Sequence, residues 1–406
     1  MIAVEYYGKL NLNSPKLHSD LLFCQQSNIK DVLIYFSHKV YPLTKSMYTE
    51  IKQKGMRAII LNILAIRTPA PIFVYSKCNY WAEFFKRYNI KIHISWYKFY
   101  DKSFPILEAM NKVGGVSILY QRSYEPNSET LNDTYSDIYF SFSNHCKPKN
   151  ASYCIVTGFL GDFRFNLLKK ESYFIKKTLR NNGCEHIIAY LDENSAEYTL
   201  VKDEDTQKSY EFILNKVLND KRLGLVLKPK FLKTLKKRLG NVYNLIIKAQ
   251  KINRCFIFDS SYPPSAAALV SDITIHSDLC AGTAGIEAAL TGTPTLLLDM
   301  YKFKSPLHEL GDWVVFQNIE SLWWAVEERL KFKKSGIGDW SRYIDKIDPF
   351  RDGLAINRMS DYLKWLMEGF KADLPRETIL ADAAERYRKI WGEDKVFSNE
   401  KDKEGK

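Results

Sequence analysis

Apolar residues in this chain fall in short runs, separated by polar stretches in which apolar residues recur every third or fourth position. Asp31 to Phe36, Arg57 to Leu61, Pro71 to Tyr75, Lys91 to Ile94, Gly115 to Tyr120, Asp137 to Phe140 and Tyr153 to Val156 read as buried strands. Met47 to Lys54, Trp81 to Tyr88 and Phe104 to Asn111 read as helices between them. Strands alternating with helices predict a mostly parallel sheet covered on both faces. Arg164 to Asn182 is a basic amphipathic helix stopped by Gly183.

A second series of the same kind follows. Its strands are His186 to Leu191, Leu223 to Leu227, Cys255 to Phe258, the run around Ile273 and Ile275, Thr295 to Leu298 and Val314 to Phe316. Its helices are Tyr210 to Leu218, Phe231 to Arg238, Ser265 to Val270, Ile286 to Leu290 and Ser321 to Leu330. Two amphipathic stretches, Ala355 to Phe370 and Pro375 to Trp391, close the pattern. No repeat of solenoid period emerges.

With 406 residues the chain suits two domains of about 180 each. The expected division is 1–163 and 185–372 as Rossmann-like domains, 164–184 as a linking helix, 373–396 as a final helix and 397–406 as a disordered charged tail. Apolar runs such as Ala58 to Ile66 are too short to cross a bilayer. Met1 to Glu5 lacks the basic start of a cleaved signal, and seven scattered cysteines without a C-x-x-C pair suit a reducing cytoplasm rather than a zinc site.

Candidate chemistry concentrates between Asp272 and Asp299. A strand ends at His276-Ser277, a turn of small residues follows, and Gly282-Thr283-Ala284-Gly285 opens a helix whose free N–H groups suit a phosphate. Glu287, in the first turn, either accepts hydrogen bonds from a ribose diol or complements the helix dipole. The spacing fits neither the Walker loop nor the dinucleotide fingerprint.

The stretch S-D-I-T-I-H-S-D-L-C-A-G-T-A-G-I-E-A-A-L-T-G-T-P-T-L-L-L-D resembles the donor-binding segment of GT-B-fold glycosyltransferases of bacterial surface-polysaccharide synthesis. That group includes CDP-glycerol glycerophosphotransferases, capsule Kdo transferases and, more distantly, UDP-GlcNAc 2-epimerases. The resemblance is also carried by Thr157-Gly158 with Asp162, which resembles the turn closing the first domain, and by the segment Asp348-Pro349-Phe350-Arg351-Asp352-Gly353. It implies an α/β GT-B fold of two Rossmann-like domains facing a cleft, the first for the acceptor and the second for the donor, with C-terminal helices crossing back to the first. Where those families carry K-P-H-P, this chain has Lys228-Pro229-Lys230, without the histidine.

The activity so implied is glycosyl transfer from a CMP- or UDP-linked sugar to a glycan or lipid-linked acceptor, without a metal or other cofactor. Lys228, His276, Ser277, Gly282, Thr283, Ala284, Gly285, Glu287 and Arg351 are the expected donor-binding residues. His38, Asp162 and Asp192, at strand ends, are the candidates for a base or nucleophile. A nucleotide-sugar epimerase and a non-catalytic nucleotide- or polysaccharide-binding subunit remain as alternatives.

Net charge sharpens the expected setting. The chain carries +12, and Lys216 to Arg254 holds twelve basic residues against the single acidic Asp220. A solvated face, an anionic membrane surface or a phosphate-bearing ligand each accounts for this charge, whereas no nucleic-acid motif accompanies it. The expected location is cytoplasmic and peripheral at the inner face of the membrane.

Overall fold

The computed structural model describes residues 2–6, 32–36, 39–40, 70–96, 100–124, 134–145, 147–195, 201–279, 282–332 and 336–398. The chain divides into two compact units, Met1–Leu160 together with Leu354–Lys406, and Gly161–Gly353.

In the first unit, β1 (Ile2–Tyr6), β2 (Val32–Phe36) and β3 (Lys39–Val40) precede α1 (Ala70–Arg87), β4 (Ile92–Ser95), α2 (Tyr100–Lys112), β5 (Val116–Tyr120), β6 (Tyr135–Ser141) and β7 (Asn150–Val156). Apart from the short antiparallel β3, these strands are parallel, in the order β7-β6-β5-β4-β1-β2-β3. Phe84, Phe85, Ile106 and Met110 join α1 to α2. Pro71 to Tyr75, expected as a strand, lies inside α1. An apolar run of that length has no period of its own, and Pro71 in the first helical turn gives up an N–H with no partner there. The expected elements at Met47 to Lys54 and Arg57 to Leu61 lie outside the described residues.

The second unit is continuous. It comprises α3 (Phe163–Asn181), β8 (His186–Asp192), α4 (Asp203–Asn219), β9 (Leu223–Pro229), α5 (Leu232–Leu239), α6 (Tyr243–Lys251), β10 (Cys255–Ile257), α7 (Pro264–Val270), β11 (Ile273–His276), α8 (Thr283–Leu290), β12 (Thr295–Leu298), β13 (Val315–Phe316), α9 (Ile319–Lys331) and α10 (Ile344–Ile347). All six strands are parallel, in the order β10-β9-β8-β11-β12-β13. Counted from β8 this is the 3-2-1-4-5-6 order of a doubly wound sheet, whose direction of winding reverses between β8 and β11. One face of the sheet, with Tyr190, Leu225, Leu227, Ile275, Leu296 and Leu298, is buried against α4 and α9. Ala266, Ala267 and Ala268 on α7 are fully buried, and Ser172 of α3 donates to the Ala266 carbonyl at 3.3 Å. Small side chains permit that close approach.

The chain then returns to the first unit through α11 (Ala355–Lys371), α12 (Arg376–Trp391) and β14 (Val396–Ser398). Tyr387 donates to the Val156 carbonyl at 2.7 Å, Arg358 to that of Thr157 at 3.2 Å, and Arg376 pairs with Asp137 and donates to the Gly115 carbonyl at 2.8 Å. β14 adds antiparallel to β7, with Phe397 opposite Cys154 and Ser398 opposite Tyr153. These two residues belong to a strand and not to the disordered tail expected for them. Beside the expected boundaries at 163, 184 and 372, the two units divide after Leu160 and after Gly353, with α3 in the second and α11 in the first.

Candidate functional site

Three strands of the second unit end level with one another. Register pairs Leu191 with Lys228 on one side and with His276 on the other, so β8, β9 and β11 deliver these residues to one edge of the sheet. This is the carboxyl edge at the switch point, where doubly wound sheets take their ligands.

Lys228 is almost fully buried and its Nζ donates to the Pro229 carbonyl at 2.9 Å. Desolvation pushes its pKa below the usual lysine range, while the charges of Glu287, Asp259, Asp192 and Glu193 act in the opposite sense. Glu287, buried in the first turn and a half of α8, accepts from the Ser265 hydroxyl at 2.6 Å and from the Ser265 N–H at 3.3 Å. Its carboxylate is therefore oriented by α7. Asp259, just past β10, is held below its usual range chiefly by the Ser261 N–H at 2.9 Å. A buried cation with fixed carboxylates around it is a charged site built in advance of any ligand.

Glu193 pairs with Lys230 and donates its own N–H to the Ser277 hydroxyl at 2.9 Å. His276 lies beside this pair, 4.0 Å from Glu193, and among the described residues neither of its ring nitrogens has a hydrogen-bond partner. Complete burial lowers its pKa to about 4, so the ring is neutral at neutral pH. Its Cβ lies 3.4 Å from where a side chain on Gly285 would begin. An unpartnered buried imidazole thus sits against the start of α8.

At the opening of α8, Gly282 has φ +65°, and Thr283 and Ala284 are half-buried. A Cβ on Gly282 would overlap Leu307, and one on Gly285 would come within 2.6 Å of Leu297 Cδ2, so the absence of a side chain at both positions serves protein packing. Gly285 lets α8 lie on β11 and β12. Gly282 supplies the left-handed turn into the helix.

The other expected residues stand elsewhere. Asp192 is locked to Arg238, Nη2 to Oδ2 at 2.6 Å and Nη1 to Oδ1 at 3.4 Å, and Arg238 also donates to Ser195 at 3.1 Å. Burial raises the Asp192 pKa and Arg238 opposes the rise. A carboxylate held in both directions by one guanidinium fixes the end of β8 against α5. Asp162 is buried at the start of α3. Arg351 takes a left-handed φ of +51°, pairs with Asp345 at 2.8 Å and donates its N–H to Asp348 at 3.1 Å. His38 lies outside the described residues.

Sequence reasoning missed Arg238, Asp259 and Ser265. Ser265 and Asp259 follow strand and turn signals but carry no motif, and Arg238 reads as one more cation of a basic helix. Among the described residues no group of three or more His, Cys, Asp or Glu is arranged to hold a metal ion, and no helix is long and apolar enough to cross a membrane.

Two α/β units with parallel sheets, the second doubly wound, make this a GT-B fold. Among solved structures the chain is similar to a putative UDP-N-acetylglucosamine 2-epimerase from Listeria monocytogenes, with a TM-score of 0.55 at 15% identity, over 90% of this chain and 96% of that one. It is similar also to the UDP-GlcNAc 2-epimerase from Neisseria meningitidis bound to UDP-GlcNAc, with a TM-score of 0.52 at 11% identity, over 90% and 100% of the two chains. No family model matches the chain, and no curated protein matches it by sequence.

Proposed function

We propose that this protein is a glycosyltransferase that moves a sugar from a nucleotide-activated donor to a glycan or lipid-linked acceptor, with the donor held at the carboxyl edge of the second unit. The observation that carries the reading is the pair Lys228 and Glu287, both buried and brought to the switch point from different elements, β9 and α8. Lys228 and the opening N–H groups of α8 offset the charge that develops on a departing nucleotide phosphate, and Glu287, oriented by Ser265, accepts from the ribose hydroxyls. Both effects are strongest in a site shielded from water.

The likeness to two proteins named as UDP-GlcNAc 2-epimerases favours a second reading, a nucleotide-sugar epimerase on the same scaffold. The two differ in their need for an acceptor. The test is incubation with UDP-GlcNAc, UDP-glucose and CMP-linked sugars, each with and without a membrane-extracted glycan-lipid fraction, followed by chromatography of nucleotides and sugars. Nucleotide release that depends on the acceptor supports transfer. An epimerised sugar formed without acceptor supports the second reading, and absence of both together with no nucleotide binding sinks the two.

We also place the protein on the cytoplasmic surface of an anionic membrane. What supports this is the outer face of α3, where Lys169, Lys170 and Lys177 are exposed beside Leu167, Tyr173 and Phe174. Sedimentation with phosphatidylglycerol vesicles but not with phosphatidylcholine vesicles is the expected result.

A further inference from the structure

We propose that Arg122, stacked on Trp96 at the carboxyl edge of the first unit's sheet, is a preformed subsite for the phosphate or carboxylate of an anionic acceptor, an assignment that rests on the transferase reading above. Trp96 follows directly on β4 and Arg122 lies two residues beyond β5, and these strands are parallel neighbours. Both residues therefore emerge at the same edge of the sheet. Next to β4 lies β1, and from β1 the strand order runs to β2 one way and to β4 the other. That reversal marks the crevice at which open α/β sheets receive ligands.

The turn that presents Arg122 is built rather than loose. Gln121 is buried, its N–H donates to the Phe140 carbonyl at 2.8 Å, its Oε1 accepts from the Phe142 N–H at 2.8 Å, and its Nε2 donates to the Ser123 carbonyl at 3.1 Å. Tyr124 is buried as well. Between these two anchors Arg122 is exposed, and its guanidinium lies 4.4 Å from the centre of the Trp96 ring. A cation over an aromatic ring keeps its N–H donors, and a guanidinium's fork of N–H groups suits planar, two-point recognition of a carboxylate or phosphate. Among the described residues no carboxylate pairs with it.

A surface arginine ordinarily loses rotamer freedom when it captures an anion. Here the stack and the stapled turn have already fixed the group. The chemistry selects an acceptor that carries a negative group, either a phosphate monoester or an acidic sugar.

The test is calorimetric titration of the full chain with phenyl phosphate, glucuronate and glucose, in the absence of UDP and with UDP saturating, so that an anion bound in the second unit is displaced and one at Arg122 is not. At least one of the two anions binds in the presence of UDP, and glucose does not. Arg122→Ala weakens that binding about tenfold or more, as the loss of a charge-assisted contact should. Arg122→Lys restores little of it, and Trp96→Leu gives an intermediate loss, while the UDP affinity of all three variants stays within about twofold of the parent. Preference for phenyl phosphate identifies a phosphate-bearing acceptor, and preference for glucuronate an acidic sugar. Equal anion affinity in the parent and Arg122→Ala, or no anion binding once UDP is present, overturns the proposal. Loss of anion binding in Arg122→Ala with no UDP binding to any form instead removes the transferase reading and leaves the subsite standing.

Discussion

Asp192 and Arg238 meet at 2.6 Å with side chains only 1% and 5% exposed, one at the end of β8 and the other in the last turn of α5. Attraction between them is strong at that depth, but so is the cost of removing both charges from water. Removing one partner leaves the other charge buried alone.

Arg238→Met is therefore expected to destabilise the second unit by about 3–5 kcal/mol, and the double change Asp192→Leu with Arg238→Met to recover most of the loss. Urea denaturation of the parent, the single and the double variants measures both. A loss under about 1 kcal/mol in the single variant would mean that water reaches the pair.

His276 gives the fold a pH dependence. Its pKa falls from an ordinary 6.5 to about 4 in the folded chain, so between these values the unfolded chain binds the proton that the folded chain refuses. The stability it contributes is complete above about pH 6.5 and is lost as pH falls through 4, a span worth about 3 kcal/mol. His276→Phe should flatten the decline of stability between pH 6.5 and 4. An unchanged slope in the variant would place the titration elsewhere.

Lys228→Met tests whether the buried cation exists for a ligand. Thermal unfolding without ligand should hold steady or rise, because a desolvated charge has been replaced by an apolar chain of similar length. The further rise on adding the preferred nucleotide should shrink, corresponding to an affinity loss of about tenfold or more. Glu287→Gln should act alike while keeping an oxygen for Ser265. Full nucleotide affinity in both variants would falsify the proposed donor site.

Since the second unit is continuous and all the expected donor-binding residues lie within it, residues 161–353 alone should fold and bind the nucleotide. A single cooperative unfolding transition with near-parent affinity is the expected outcome. A fragment that stays unfolded would show that the first unit supplies part of its core.

How much of this was readable beforehand depended on the kind of residue. Strands such as Leu223–Pro229 and Ile273–His276 are buried on both faces, so their continuous apolar runs gave them away. The small-residue opening of α8 was visible too, though not its reason, because nothing in Gly282 or Gly285 tells that Leu307 and Leu297 fill the space beside them. Helix α6 was overlooked, since only Ile246 and Ala249 of its short length are buried and its period is barely expressed. Pairings distant in sequence, Asp192 with Arg238 and Glu287 with Ser265, exist only once the strands have been ordered.

Strand β14 has a consequence for synthesis. Among the described residues, the strand beside β7 at the end of the first unit's sheet is β14, which follows the whole of the second unit in the chain. As the chain leaves the ribosome from its N-terminus, the later unit can reach its final form while the earlier one still waits for α11, α12 and β14. Until then the outer edge of β7 offers unpaired N–H and C=O groups to any passing strand. Premature termination beyond Gly353 would release a finished second unit tethered to a sheet with one sticky edge, and chaperone dependence during translation should fall on the first unit.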